Sequence, residues 1–414
     1  MLKQIEGSRA IAETVALCRP QVICAYPITP QTHIVEGLGE MVKTGELQGC
    51  DFINVESEFA ALSVAIGASA AGSRAYTATS SQGLLFMAEA VYNASGLGMP
   101  IVMTLGNRAI GAPINIWNDH SDAMALKDAG WIMLFAETNQ EAADLHIQAF
   151  RLAEELSCPV MVCVDGFILT HAYERINLPT QEEVDRFLPA YDPVQILDVD
   201  EPVSIGAMVG PEAFAEVRYF AHYKQLQALS LIPQLAREFE AQFGRPSGGL
   251  LHTYRIDGAE TLIVAMGSVN GTIKDVVDEM RDDGHAVGAV VITSFRPFPL
   301  AEVRSALEGA RRVVVVEKNL AVGLGGVLAS NVRMALRGAG TSVLTCIAGL
   351  GGRPITKASL RPFFEAAERD ELEDVTFLDL KWDVIRQQLE RMNATRRSGP
   401  TAESIMRMMG VEAL

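Results

Sequence analysis

Six short apolar runs, alternating with alanine-rich or 3.6-periodic stretches, limit what the first part of this 414-residue chain can fold into. Residues 22–25, 52–55, 74–78, 101–105, 131–135 and 160–164 read as strands. Residues 11–17, 34–42, 58–71, 83–95, 121–129 and 141–156 read as helices. Such alternation predicts an α/β fold over residues 1–178, with a parallel sheet covered on both faces. Right-handed crossovers put every loop that follows a strand on one edge of that sheet, the edge where open α/β sheets bind ligands.

Four of those loops carry unusual chemistry. In Tyr26-Pro27-Ile28-Thr29-Pro30-Gln31-Thr32, two prolines fix φ and force the residues before them into extended conformations, so Thr29 sits on a stiff turn. In Asn54-Val55-Glu56-Ser57-Glu58 a strand becomes a helix, with Ser57 as N-cap and Glu58 in the first turn. A carboxylate there is ordinarily a partner of the helix dipole, worth about 0.3–1 kcal/mol. Set against the small apolar face Ala60-Ala61-Leu62, it can instead be desolvated and join acid–base chemistry. The turn Thr77-Ala78-Thr79-Ser80-Ser81-Gln82-Gly83 holds four hydroxyls and an amide. Capping explains one or two of them, and the surplus points to a ligand-facing turn.

The fourth loop, Gly106-Asn107-Arg108-Ala109-Ile110-Gly111-Ala112-Pro113, contains the only arginine between positions 75 and 150. Arg108 suits bidentate capture of a carboxylate. It can equally pair with Asp119 or Asp122 in the following turn, Asn118-Asp119-His120-Ser121-Asp122. His120 is either a general base or part of a helix-capping turn.

Bulk properties narrow the partners. The net charge of −17 disfavours nucleic acid and anionic membrane, because phosphate binding needs clustered Lys and Arg. No apolar run reaches the roughly 18–20 residues that span a bilayer, and the first residues lack the apolar core of a signal peptide. A cytoplasmic protein is expected. The six cysteines form no Cys-x-x-Cys pair and sit mostly in apolar runs, so buried, reduced thiols are expected. Cys158 and Cys163, five apart on one expected strand, point to opposite faces and cannot share a metal.

Taken together, Tyr26-Pro27-Ile28-Thr29-Pro30, Ser57-Glu58 with its alanine-rich helix, Thr79-Ser80-Ser81-Gln82-Gly83-Leu84 and Asn107-Arg108-Ala109-Ile110 resemble a known family. They look like the thiamine-diphosphate pyrimidine domain of the 2-oxoacid:ferredoxin oxidoreductases. The turn 118–122 and Val164-Asp165-Gly166-Phe167 fit the same pattern, and the resemblance is closest to α subunits of the pyruvate-dependent enzymes. It implies that Glu58, rather than Glu56, hydrogen-bonds the cofactor's pyrimidine ring, with Pro27, Ser80, Ser81, Gln82 and Gly83 around it. It also implies that Thr29 and Arg108 hold the substrate carboxylate. An oxalate enzyme would be expected to need a second basic residue at position 29, so threonine suits pyruvate.

The alternation breaks at residues 179–249, where prolines and then aromatics (Phe214, Tyr219, Phe220, Tyr223) precede a helical pattern over 224–243. This stretch reads as an ordered connector lying on a partner. A second α/β unit is expected over 250–362, with strands at 261–265, 289–292, 312–316 and 342–346 and helices at 272–282, 300–307 and 327–336. The resemblance makes it a transketolase C-terminal-like domain, followed by a helical tail over 363–414 (helices 384–392 and 402–409). Two glycine loops, 267–271 and 323–326, could each cradle a phosphate at a helix N-terminus. Neither has the dinucleotide-binding spacing with its distal acidic residue, which argues against a nicotinamide dehydrogenase.

No Gly-Asp-Gly occurs to hold a diphosphate through a metal, and no cysteine set suits an iron–sulfur cluster. The resemblance therefore implies half an active site. A β subunit would supply the diphosphate and Mg²⁺ sites and a [4Fe–4S] cluster, with γ and δ subunits or fused equivalents, ferredoxin and coenzyme A completing a pyruvate-oxidising complex. A 2-oxoglutarate or branched-chain 2-oxoacid enzyme, and a non-catalytic assembly subunit, remain as alternatives.

Overall fold

The structure, a computed structural model, describes residues 2–202, 204–394 and 401–411. Strand β1 (Leu2–Glu6) leads into helix α1 (Gly7–Leu17). Strands β2 (Val22–Ala25), β3 (Asp51–Asn54), β4 (Ala75–Thr79), β5 (Val102–Asn107), β6 (Ile132–Phe135) and β7 (Val160–Asp165) then alternate with helices. The helices are α2 (Thr32–Thr44), α3 (Glu58–Ala70), α4 (Ser81–Phe86), α5 (Ala88–Leu97), α6 (Ser121–Ala125) and α7 (Asn139–Leu156). Strand β8 (Tyr173–Asn177) pairs antiparallel with β1.

Strands β2 to β7 form a parallel sheet in the order β6-β7-β5-β4-β2-β3. Their near-continuous apolar sequences are explained by burial on both faces. Met103, Leu105, Met161 and Cys163 enter one apolar cluster, whereas Val102, Val160, Val162 and Val164 enter the other. All six cysteines are buried and free. Cys158 lies just before β7 rather than in it, and packs on the opposite face from Cys163.

The helix expected over 83–95 is two helices, broken at Met87, and the first begins two residues early at Ser81. The connector holds α8 (Gln181–Phe187) and α9 (Phe214–Phe243), which runs through Pro233 and begins ten residues before the expected helix. Only its C-terminal half buries residues (Ala228, Ile232, Leu235 and Phe239), so its first half has no apolar periodicity to read.

The second sheet has the order β15-β14-β13-β10-β11-β9. It contains β9 (Leu251–Tyr254), β10 (Thr261–Ala265), β11 (Val287–Ile292), β13 (Arg312–Glu317), β14 (Ser342–Ile347) and β15 (Val375–Phe377), all parallel except β9. Helices α10 (Val269–Asp282), α11 (Leu300–Leu307), α12 (Val327–Ala335) and α13 (Lys357–Glu368) cover it. The short strand β12 (Ser294–Arg296) crosses back and pairs antiparallel with β6, extending the first sheet to seven strands. The tail carries α14 (Trp382–Ala394) and α15 (Thr401–Met408).

One buried polar chain braces the first sheet. His146 Nδ1 lies 2.6 Å from the Ala142 carbonyl, so it carries the ring proton. Nε2 then accepts from the Thr104 hydroxyl (2.6 Å), which accepts from the Tyr76 hydroxyl (2.6 Å). Protonating Nε2 would set two donors against each other. Burial holds His146 down at about 4, although the Ala142 carbonyl pulls the other way. An unfolded imidazole titrates near 6.5, so the unfolded chain takes up this proton first. Stability from His146 is therefore full above pH ~6.5 and is lost as pH falls towards 4, by roughly 3 kcal/mol. We expect His146→Gln to flatten that part of the stability–pH curve in urea unfolding between pH 7.5 and 4.5; an unchanged slope would remove His146 from the account.

Candidate active site

Strands β3, β2, β4 and β5 are consecutive neighbours, and each delivers one of the four loops to the same edge. The loop after β2 leaves Tyr26, Pro27 and Thr29 exposed. Buried Gln31 ties it down, donating from Nε2 to the carbonyls of Tyr26 (2.9 Å) and of Ala78 at the end of β4 (3.3 Å).

Glu58 opens α3, and Ser57 caps it as expected, its Oγ accepting from the Ala60 N–H at 3.2 Å. Glu58 is 8 % exposed, whereas Glu56 faces solvent. Among the described residues no hydrogen bond or ion pair holds the Glu58 carboxyl. It lies against Gly83, where a Cβ would come within 2.7 Å of Glu58 Oε1 and 2.5 Å of Thr79 Oγ1. Glycine alone leaves that space open.

The hydroxyls before Gly83 do not cap. Ser80 stands at the N-cap of α4 without a side-chain bond. The side-chain oxygens Thr79 Oγ1, Ser80 Oγ, Gln31 Oε1 and Asn107 Oδ1 are all buried without a partner. Buried polar groups are normally satisfied, so this cluster has the character of a ligand surface. Ser81 differs. It sits at φ +50°, its hydroxyl contacts the Ala109 carbonyl and the Gln82 amide, and its N–H donates to Asp122 Oδ2 at 3.0 Å.

Asp122 is the organiser that sequence reading passed over. Fully buried, it accepts from the N–H groups of Ser81, Arg108 (2.9 Å) and Ala123 (2.8 Å) and from Asn107 Nδ2 (2.9 Å). It thus staples the loop after β4 to the loop after β5. Burial pushes its carboxyl up to about 7, against the pull of those four donors. The acidic turn was visible in the sequence; its aim at backbone N–H groups of two other loops was not.

Arg108 is 6 % exposed. Its Nε donates to the Asn115 carbonyl and its Nη1 to the Thr29 carbonyl, each at 3.0 Å. The internal ion pair with Asp119 or Asp122 does not form, because both carboxylates are turned to backbone donors. Burial draws the guanidinium below its ordinary value, and Asp122 only partly offsets this. A buried cation beside Thr29 with no carboxylate of its own is prepared for one from outside.

The second unit roofs this edge. Asp165, the last residue of β7, accepts from Lys318 Nζ (2.8 Å), Ser268 N–H (2.9 Å), the Ser268 hydroxyl, His120 Nε2 (2.7 Å) and Asn118 Nδ2 (3.2 Å). Burial alone would raise this carboxyl, but Lys318 and His120 hold it well below the usual carboxylate range. His120 is thereby tied to Asp165, and its side chain makes no cap bond at α6. Both glycine loops are taken by the chain's own carboxylates. Asp165 takes the N–H and hydroxyl of Ser268 in the first, and Glu317 accepts from the N–H groups of Val327 (2.7 Å), Leu328 (2.8 Å) and Ala329 (2.7 Å) behind the second. The phosphate-cradling reading is given up for these donors.

With this geometry in hand, residues 13–236 match the family model for pyruvate flavodoxin/ferredoxin oxidoreductase, thiamine diphosphate-binding, and residues 259–360 match core domain II of pyruvate:ferredoxin oxidoreductase. The chain belongs to the pyruvate:ferredoxin oxidoreductase family. It is 45 % identical over 390 residues to pyruvate synthase subunit PorA of Methanosarcina barkeri, covering 92 % of this chain and 97 % of that one. It is 39 % identical over 366 residues to ketoisovalerate oxidoreductase subunit VorA of Pyrococcus abyssi, covering 88 % and 92 %. In fold it is similar to 2-oxoglutarate:ferredoxin oxidoreductase of Magnetococcus marinus, with TM-score 0.67 at 19 % identity over 88 % of this chain and 64 % of that one. It is also similar to a split-gene transketolase, with TM-score 0.52 at 13 % identity over 89 % and 100 %.

The Asp122 staple is directly testable. Asp122→Asn turns an amide against two N–H donors, and each buried donor left unpaired costs about 1–3 kcal/mol. We expect urea unfolding to show a loss of roughly 2–4 kcal/mol; wild-type stability would mean the donors find other partners.

Proposed function

We propose that this chain is the α subunit of a pyruvate:ferredoxin oxidoreductase. The reaction is pyruvate plus coenzyme A and two oxidised ferredoxins giving acetyl-CoA, carbon dioxide, a proton and two reduced ferredoxins. One juxtaposition carries the reading: a buried, unpaired Glu58 carboxyl faces the space kept by Gly83, at the same sheet edge as a buried Arg108 that has no carboxylate partner.

The unpartnered hydroxyls of Thr79 and Ser80 and the free Glu58 suit the aminopyrimidine end of thiamine diphosphate, which needs a carboxyl at a ring nitrogen and neutral partners around it. When bound, that cofactor supplies a carbanion equivalent that attacks and decarboxylates a 2-oxoacid. Glu58 would hold a proton against the ring nitrogen, and Gly83 would let the ring approach. Pro27, Ser80, Ser81 and Gln82 would line it. Arg108 would grip the substrate carboxylate as a charge-assisted donor, with Thr29 as the neutral second contact.

We assign residues 1–178 to the pyrimidine-side unit and 250–362 to the second unit, whose sheet also takes in β15 from the stretch expected as a helical tail. Tyr26, Phe59, Phe86, Ile114 and Trp117 expose apolar surface near these loops, and Phe214, Tyr219, Phe220 and Tyr223 do so on α9. Such patches suit partner subunits. We assign diphosphate, Mg²⁺ and [4Fe–4S] sites to a β subunit, with γ and δ subunits or fused equivalents beside it. The complex would work with ferredoxin in the cytoplasm; no helix among the described residues is long and apolar enough to cross a membrane.

The likeness to a ketoisovalerate oxidoreductase subunit favours a branched-chain 2-oxoacid as the second reading. Assay of the reconstituted complex with pyruvate, 2-oxoisovalerate and 2-oxoglutarate, coenzyme A and a viologen dye separates them by kcat/KM. Glu58→Gln should lower kcat by about 10²–10⁴-fold; full activity would make this an assembly subunit. Arg108→Ala should raise the KM for the 2-oxoacid by roughly 10–150-fold, the equivalent of one charged hydrogen bond. An unchanged KM would remove Arg108 from the site.

A further inference from the structure

Three segments outside the catalytic edge bring two imidazoles and a carboxylate together. Glu6 ends β1, His33 lies in the first turn of α2, and His171 precedes β8. Their positions are fixed by backbone. β1 pairs with β8 in a register that sets Glu6 against Tyr173, and the N–H groups of Gly7 and Ser8 donate to the carbonyls of Ala172 (3.0 Å) and Thr170 (2.9 Å). His33 Nδ1 lies 2.7 Å from Glu6 Oε1, and the two imidazole centroids are 4.8 Å apart. One ligand atom from each residue lies within 4.8 Å of the other two.

We propose that Glu6, His33 and His171 form a binding site for a divalent first-row transition metal ion of the Zn²⁺ class. Two imidazoles and one carboxylate are the donor set such ions take, with remaining positions open to water. Metal–ligand bonds of about 2.0–2.2 Å put neighbouring donors roughly 3–3.5 Å apart. The Glu6–His33 pair must therefore open slightly and the widest separation close by about an ångström. His33, whose side chain is 47 % exposed, has the freedom to do both and gives the ion an entry path.

The surroundings already orient the donors. Thr170 Oγ1 lies 2.7 Å from His171 Nδ1 and itself accepts the Phe167 N–H at 2.8 Å. A Thr170 oxygen that accepts from Nδ1–H leaves Nε2 as the free donor, the outer-shell arrangement that metal-binding histidines use. Burial and the neighbouring His33 both pull His171 below its ordinary value, against the opposite pull of Glu6.

The site would stiffen the region that carries substrate contacts. His33 stands four residues beyond Thr29. The His171 ring packs at a tilt against Phe167 (centroids 4.7 Å apart), and Phe167 packs at a tilt against Trp117 (4.8 Å), two residues beyond the Asn115 that holds Arg108.

The test needs no turnover and is independent of the proposed reaction. The full-length chain, stripped with chelator and desalted, is titrated with Co²⁺ at pH 7.5, with visible absorption and equilibrium dialysis as readouts. One saturable equivalent, displaced by Zn²⁺, is expected. In His33→Asn and His171→Asn it should weaken by more than the roughly 10–100-fold that loss of an outer-shell partner costs. His222→Asn, at an exposed histidine elsewhere, should bind like wild type. The near-isosteric Glu6→Gln, checked for unchanged circular dichroism, separates lost ligation from lost folding and should also bind more weakly. Absence of a saturable equivalent in wild type, or wild-type binding in both His33→Asn and His171→Asn, overturns the proposal.

Discussion

The contact on which the rest of the molecule leans is the buried ion pair between Asp165 and Lys318. It joins the catalytic edge of the first sheet to the end of β13 in the second. Two charges removed from water cost several kcal/mol each unless their remaining hydrogen-bonding capacity is filled. Asp165 meets that condition through Ser268, His120 and Asn118. The pair therefore acts less as a source of stability than as a fixed register between units. One apolar cluster passes from Leu84, Met103 and Trp131 into Val264, Val290 and Val313, so the two units share a core as well as a charge pair. The second unit is in this way part of the site. The Gly351 carbonyl accepts from Asn115 Nδ2 at 3.2 Å, its N–H donates to Asp119 at 3.0 Å, and Asn115 holds Arg108.

Among the described residues, buried carboxylates fall into two kinds, and the difference sets Glu58 apart. Asp122, Asp165 and Glu317 each face several donors, and each ties loops or helix ends together. Glu58 faces none of these, only the hollow beside Gly83 and the unpartnered hydroxyls next to it. Burying a polar group without a partner is unfavourable. A fold that does so at one carboxyl, while satisfying three others, agrees with the proposal that Glu58 meets a ligand.

The elements legible in the sequence were those whose side chains are buried on both faces, such as β5, β7, β10 and β13, because apolar runs report burial directly. The edge strands β1, β8, β9, β12 and β15 are short or mixed in polarity, and nothing local distinguishes them from loops. The four ligand loops were legible because their residue types exceed what turns require. Three things were not legible: Asp122 as a staple, Gln31 as a tie between β2 and β4, and the filling of both glycine loops by internal carboxylates. Each depends on partners 10–103 positions away in the chain, and periodicity carries no information about such pairs.

The exposure pattern around the site is the reverse of an ordinary monomer surface. Polar atoms of Thr79, Ser80 and Asn107 are buried, whereas Phe86, Ile114 and Trp117 face outward close by. Apolar surface of that kind is stabilised by removal from water, and about 25 cal/mol per Å² of it is recovered on contact. A partner that covers this rim would also exclude water from Glu58 and Arg108, strengthening both a shared proton and a carboxylate–guanidinium contact. On the proposed reading, assembly and the readiness of the site for chemistry are therefore one event: the same surface that selects the partner dries the groups that act on the substrate.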